Sequence, residues 1–254
     1  MKRVTILSTA LCLSLMATGC FGSLNTPASE SGNQPTDAPT AEETTEAPSA
    51  ESETSGDVKV SHEVNVETVT IMTYSDGVNE LVNVVPKIIV DGEEATEINA
   101  SLSDYIQKTY PMEKNGDYVD GWSTKIKWGA NENTVSIIIY ASDTSTDYYT
   151  CEVFNYDLDT LTELDDHEVT KRLGMTDEEF FSKTEAIVKK YCDDGRAYDP
   201  DKSLEAVNYD KATPFITPDG NPGVSVCLIY SQDTQFMGAE GVRCFNMTTM
   251  ESGI

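Results

Sequence analysis

The chain has 254 residues, with 17 Lys and Arg against 44 Asp and Glu, for a formal net charge of −27. That length holds one domain or two small ones, and a charge this negative repels nucleic acid and anionic lipid headgroups while attracting cationic partners or metal ions. Solubility alone accounts for the acidity equally well.

In chain order, Lys2 and Arg3 precede an apolar run from Val4 to Thr18. The run is shorter than the roughly 20 residues a spanning helix needs and suits a signal-peptide core. It closes on Met16-Ala17-Thr18-Gly19-Cys20, which resembles the lipobox of bacterial lipoproteins. The resemblance implies a signal peptide over residues 1–19, cleavage before Cys20, and a diacylglycerol of palmitate type on the Cys20 thiol. It also implies a lipid anchor on the extracytoplasmic face of the bacterial membrane. Residues 21–56 are built from Ser, Thr, Glu, Pro, Ala and Gly, with seven acids and no Lys or Arg. Such a segment cannot bury enough surface to offset its ordering entropy, so a disordered tether is expected. As a coil it spans roughly 30–36 Å, and more with like-charge repulsion. Loss of Lys2 and Arg3 takes the charge to −29, and setting the seven tether acids aside leaves −22 on the domain.

The domain is expected over residues 57–254, with subdomains over 57–145 and 146–254 as an option. Val64 to Ile71 alternates with period two, and Leu81 to Val90 is a second β-rich run interrupted by Pro86. Ser75-Asp76-Gly77 reads as the turn between them. Asp91-Gly92 introduces a helix expected from about Glu93 to Thr109, with Ile98, Leu102, Tyr105 and Ile106 on its apolar face and Pro111 as its stop. Trp122 to Trp128 and Thr134 to Ala141 read as strands paired across Gly129-Ala130-Asn131, and Tyr148 to Leu158 as a third. Thr176 and Glu179 form a capping box, with Met175 placed to staple onto Phe180. Phe180, Ile187, Val188 and Tyr191 line the buried face of the helix that follows. Two late strands, Val224 to Tyr230 and Val242 to Met247, follow the Pro218-Asp219-Gly220 turn. The mixture lacks a βαβ rhythm and predicts an α+β fold, antiparallel sheet with two packed amphipathic helices.

The stretch VPKIIVDGEEATEIN, Val85 to Asn99, resembles the opening of the extracytoplasmic domain shared by RsiV-type anti-sigma factors and the N-terminal part of the peptidoglycan deacetylase PdaC. Pro86, Ile88, Ala95, Ile98 and Asn99 carry the likeness. Asn155-Tyr156-Asp157-Leu158 with Thr160 and Leu164, and the helix from Thr176 to Tyr191, extend it. The likeness covers roughly Val64 to Phe245. The chain departs from the family at Tyr230 to Gly238, where a Tyr- and Pro-containing loop ending in Gly is usual, and it has neither a sigma-binding segment nor a deacetylase domain. The resemblance implies an extracellular sensing or binding module. In the RsiV case the partner is lysozyme, a cationic protein, to which a domain near −22 is electrostatically suited.

Chemistry-bearing residues are few. His62 and His167 lie in polar surroundings without the convergent partners that a nucleophile or a zinc site needs. Cys151, Cys192, Cys227 and Cys244 outside the cytoplasm suggest disulfides with three pairings open. The favoured pairing joins Cys227 to Cys244 across a late hairpin and Cys151 to Cys192, with buried free thiols as the other reading. Asp199, Asp201, Ser203 and Asp210 fit positions 1, 3, 5 and 12 of a calcium loop, but Leu204 stands where that loop needs Gly, so an acidic surface turn is the better reading. Trp122 and Trp128 share one strand face and are a candidate stacking surface, although core packing explains them more simply. The expectation is a non-catalytic, membrane-anchored binding or sensing module for a cationic, lysozyme-like protein or a cell-wall component, with no cofactor, metal or nucleic acid. The alternative is a cell-envelope enzyme acting on peptidoglycan, which requires two acids, or a hydroxyl and a base, facing each other in a cleft.

Overall fold

The computed structural model describes residues 61–75, 80–115, 118–143, 149–194, 198–205, 207–231 and 239–253. Cys20, the signal run and the acidic tether lie outside these residues, as do most of the turn at Ser75-Asp76-Gly77 and of the segment from Tyr230 to Gly238. The alternating run at Val64 becomes β1 (Val64–Ser75), antiparallel to β2 (Glu80–Val90) with a register shift between Thr70 and Met72. Pro86 sits opposite Thr68 without ending β2. Beside Pro86 the strand has one ladder neighbour only, where proline is tolerated. The second neighbour, β3 (Glu93–Glu94), pairs only with Ile89 and Val90.

Asp91 and Gly92 both take positive φ, 52° and 82°, a conformation that makes a tight hairpin turn. Residues 93 and 94 therefore return along β2, and α1 (Thr96–Thr109) starts later than the expected Glu93. It buries Ile98, Leu102 and Ile106 as its spacing requires, while Tyr105 is half-buried with its ring edge-on to Phe154 at 4.9 Å. Asn99 docks the helix on β2: the Ile88 N–H donates to Asn99 Oδ1 at 2.8 Å, and Asn99 Nδ2 donates to the Ile88 carbonyl at 3.1 Å.

The central sheet orders β4 (Met112–Asn115), β5 (Tyr118–Ala130), β6 (Thr134–Asp143) and β7 (Tyr149–Asp157), all antiparallel. Ile137, Ile139 and Ala141 pack beneath α1, whereas Ile138 and Tyr140 join a cluster on the opposite side. Burial on both faces explains why Ile137-Ile138-Ile139 is a continuous apolar run rather than an alternation. A subdomain boundary at 145/146 would separate β6 from β7, which are ladder partners, and residues 55–254 form one unit.

Asp165-Asp166-His167 opens a helix, α2 (Asp166–Arg172): Asp165 is its N-cap and accepts from the Glu168 N–H at 2.8 Å. The capping box at Thr176 and Glu179 is present and starts α3 (Asp177–Asp193). A short α4 (Pro200–Leu204) precedes a third sheet, β8 (Ala212–Ile216), β9 (Pro222–Ile229) and β10 (Glu240–Asn246), ordered β10-β9-β8. Val224, Val226, Leu228 and Phe245 form the face that packs with Phe180, Ile187, Val188 and Cys192 of α3. The fold is α+β, built from antiparallel sheets with packed helices.

The central and third sheets meet closely at Gly129. A Cβ there would lie 2.1 Å from the Thr217 carbonyl oxygen and 2.4 Å from that of Ile216, so only glycine admits the backbone. Buried polar groups stitch the same junction. Ser136 Oγ donates to Asn155 Oδ1 at 2.6 Å and accepts from the Ile216 N–H at 2.8 Å, and Asn155 Nδ2 donates to the Pro214 carbonyl at 3.0 Å.

Candidate functional site

Two regions concentrate chemistry. The first is an acidic pole where α2 and α3 begin. Helix N-caps select Asp and Thr, and first helical turns favour acids through the backbone dipole, so Asp165, Asp166, Asp177, Glu178 and Glu179 crowd there. Asp166 is half-buried, and burial, then the neighbouring charges of Asp165 and Glu163, push its carboxyl up to about 6. Among the described residues no Lys or Arg forms an ion pair with Glu163, Asp165 or Asp166. Tyr209 reports the same field. Its hydroxyl lies 2.8 Å from Asp177 Oδ1 and 2.9 Å from Thr170 Oγ1, and burial with the charges of Asp177 and Asp166 pushes it up to about 12. His167 Nδ1 sits 2.8 Å from Asp177 Oδ1 on the surface. The same nitrogen lies 2.9 Å from Asp177 Oδ2, so His167 helps hold the Asp177 carboxylate in place.

This pole rests on a firm base. Arg172, at the far end of α2, reaches Asp157 Oδ2 at 2.5 Å, Glu168 Oε1 at 3.2 Å and the Asn133 carbonyl at 3.1 Å. Asp157 is held below the usual carboxylate range because the Arg172 bond and two bonds from Thr160 outweigh its burial.

The second region is a groove of about 470 Å³ between the central sheet and β10, lined by Ser123, Lys125, Lys127, Tyr140, Val242 and Cys244. Lys127 Nζ stands 5.8 Å from the Tyr140 ring centroid, a cation–π distance. The odd-numbered positions of β5 face this groove, and Trp122 and Trp128 lie on the other face. Both tryptophans pack partly against the α1 core cluster, with Trp122 tilted on Tyr110 at 5.6 Å. They share a face as expected, and that face is turned to the core, in line with the simpler reading, while the two side chains border separate pockets.

The cysteines are arranged differently from the favoured pairing. Cys227 stands opposite Val242, and Cys244 opposite Ser225. The two are diagonal neighbours, with Cα atoms about 7–8 Å apart, beyond ordinary disulfide reach. Cys192 belongs to the α3 side of the third sheet and Cys151 to the central-sheet side. The sheet thus separates the other expected pair. Instead Cys151 Sγ lies 2.7 Å from Cys244 Sγ, both buried.

The calcium-loop residues do not converge. Asp199 caps α4 through the Lys202 N–H, and Ser203 Oγ accepts from the Ile229 N–H at 2.9 Å. Among the described residues no group of three His, Cys, Asp or Glu is placed to hold a metal ion, and no helix is long and apolar enough to cross a membrane. His62, next to the expected tether, bridges Asp91 at 2.7 Å and Asp159 at 3.0 Å. It pins the start of β1 to two turns, a role that only the tertiary structure reveals. The chain matches no family model, no curated protein and no solved structure.

Proposed function

We propose that this chain is a lipid-anchored, extracytoplasmic binding or sensing module that engages a cationic protein through the acidic pole of α2 and α3. The carrying observation is Asp166, a half-buried carboxylate crowded by Asp165 and Glu163 with no ion-pairing Lys or Arg among the described residues. A partner Lys or Arg placed there would relieve a repulsion that folding leaves uncompensated. The domain charge of −22 adds long-range attraction for a basic partner and speeds encounter. The lipobox-like segment ending at Cys20 and the acidic tether supply the anchor and the reach. The likeness of Val85 to Asn99 to the RsiV-type and PdaC extracytoplasmic domains points to the same class of activity. In this fold, Ile88 and Asn99 of that stretch serve to dock α1 on β2, so the likeness bears on the scaffold.

Titration calorimetry of the full chain with lysozyme tests the reading, at salt of about 10 mM and about 150 mM, where screening lengths differ several-fold. Binding that weakens tenfold or more at the higher salt, and that weakens again in Asp165→Asn with Asp166→Asn, supports it. Binding indifferent to salt and to both substitutions would remove the pole from the site.

A further inference from the structure

The geometry points to a disulfide between Cys151 and Cys244 that locks the third sheet onto the central sheet, with Cys192 and Cys227 remaining thiols. The two sulfurs are already 2.7 Å apart in a buried apolar cluster with Ile138, Phe215, Tyr140, Val153 and Val242. Their residues are 93 positions apart and sit on β7 and β10, strands of different sheets. A small side-chain rotation brings sulfurs at this separation to the bonding distance of about 2.05 Å. Among the described residues, neither Cys192 nor Cys227 has a second cysteine sulfur beside it. Cys192 is enclosed among the α3 side chains, and Cys227 lies beside Lys211 and Glu240. Burial and Glu240 push the Cys227 thiol up to about 11, which keeps it protonated and unreactive.

The pair is also built for closure in a definite order. Both thiols are buried, and Cys244 but not Cys151 borders the groove, so a local opening of the groove wall presents Cys244 to a small oxidant. Hydrogen bonding from Cys151, outweighing burial, together with the Tyr140 hydroxyl and the Lys127 charge, holds the Cys244 thiol below its ordinary range, and the same contact holds Cys151 protonated. The Cys244 thiolate attacks one sulfur of a small-molecule disulfide, breaking that S–S bond and releasing one thiolate. The Cys151 thiol gives its proton to a leaving group as its sulfur attacks the mixed disulfide and expels the second small thiol. Two protein thiols are oxidised to one S–S bond, and one small disulfide is reduced to two thiols.

The bond would close a long loop containing α2, α3, α4 and the third sheet, the kind of constraint that most limits an unfolded chain. The test equilibrates the full chain with glutathione disulfide, unfolds it in an alkylating agent without reductant, and maps the peptides by mass. The expected result is one linked peptide pair holding Cys151 and Cys244, with Cys192 and Cys227 alkylated. The midpoint of thermal unfolding should fall by about 10 °C on adding reductant. Cys151→Ser, Cys244→Ser and their combination should show no response to reductant, and Cys192→Ser with Cys227→Ser should keep the full response. Alkylation of both Cys151 and Cys244, a link that includes Cys192 or Cys227, or a wild-type midpoint indifferent to reductant would each overturn the assignment. The wild-type measurements decide the matter even if a serine variant fails to fold.

Discussion

Asp166→Asn removes one negative charge from the crowded start of α2 while keeping shape and most hydrogen-bonding capacity. Burial and the charges of Asp165 and Glu163 raise the carboxyl from an ordinary value of 3.8 to about 6. At about 1.4 kcal/mol per pKa unit the deprotonated side chain would cost about 3 kcal/mol. The residue is only half-buried, so solvent screening reduces this to about 1–2 kcal/mol. The substitution also forfeits a favourable first-turn interaction with the helix dipole, worth about 0.5 kcal/mol. A net gain near 1 kcal/mol remains, and the unfolding midpoint should rise by about 2–4 °C for a domain of this size. The sign with pH is definite. A raised folded pKa favours the native state below the unfolded pKa, and that contribution disappears as pH rises through the folded value. The gain should therefore be full at about pH 8, shrink as pH falls below about 6, and vanish only below the unfolded value of 3.8, where the Asp side chain is neutral in both states. Thermal unfolding followed by circular dichroism across that range measures it. No gain at pH 8, or a gain that persists unchanged at pH 4, would refute the charge argument. Under the proposed function the same substitution weakens binding of a cationic partner, so stability and recognition should move in opposite directions.

Arg172→Met should destabilise the domain by about 3 kcal/mol or more, because it leaves Asp157 charged and buried without its partner. Urea unfolding at neutral pH measures the loss. Part of that penalty should disappear as pH falls below the ordinary carboxylate range, since protonation of Asp157 then costs the variant little. His62 is held above its ordinary 6.5 by hydrogen bonds to Asp159 and Asp91, with their charges adding to the effect. Its contribution to stability is present below pH 6.5 and lost as pH rises through the raised value. A proton NMR titration should place its midpoint above 6.5, and His62→Gln should flatten the fall in stability over that interval.

Short-range signals were legible before any coordinates. Thr176 with Glu179, the spacing of Ile98, Leu102 and Ile106, and the alternation from Val64 each depend on residues within a turn or two of one another. The differences arise where backbone conformation at a turn or a neighbour distant in sequence decides. Glu93 and Glu94 read as helix by position, yet the positive-φ turn at Asp91-Gly92 returns them to the edge of β2. Asp199 read as part of an acidic surface turn and is the N-cap of α4. The five residues of β8 become a strand because β9 pairs with them and Ser136 and Asn155 hold them from below. Trp122 and Trp128 share a face that packs on the α1 core, the simpler of the two readings their spacing offered.

By itself the sequence determined the charge, the fold class, the lipobox-like segment at Cys20 and most of the strands and helices, because composition and periodicity are local properties. Only the tertiary structure decided which acids crowd without ion-pairing Lys or Arg and which thiols meet. Sheet register places Cys227 diagonal to Cys244, and the stacking of the third sheet on the central one brings Cys151, 93 residues away in sequence, to its side. Register and stacking follow from the burial of whole faces summed over many residues, and no single stretch of the chain carries that sum.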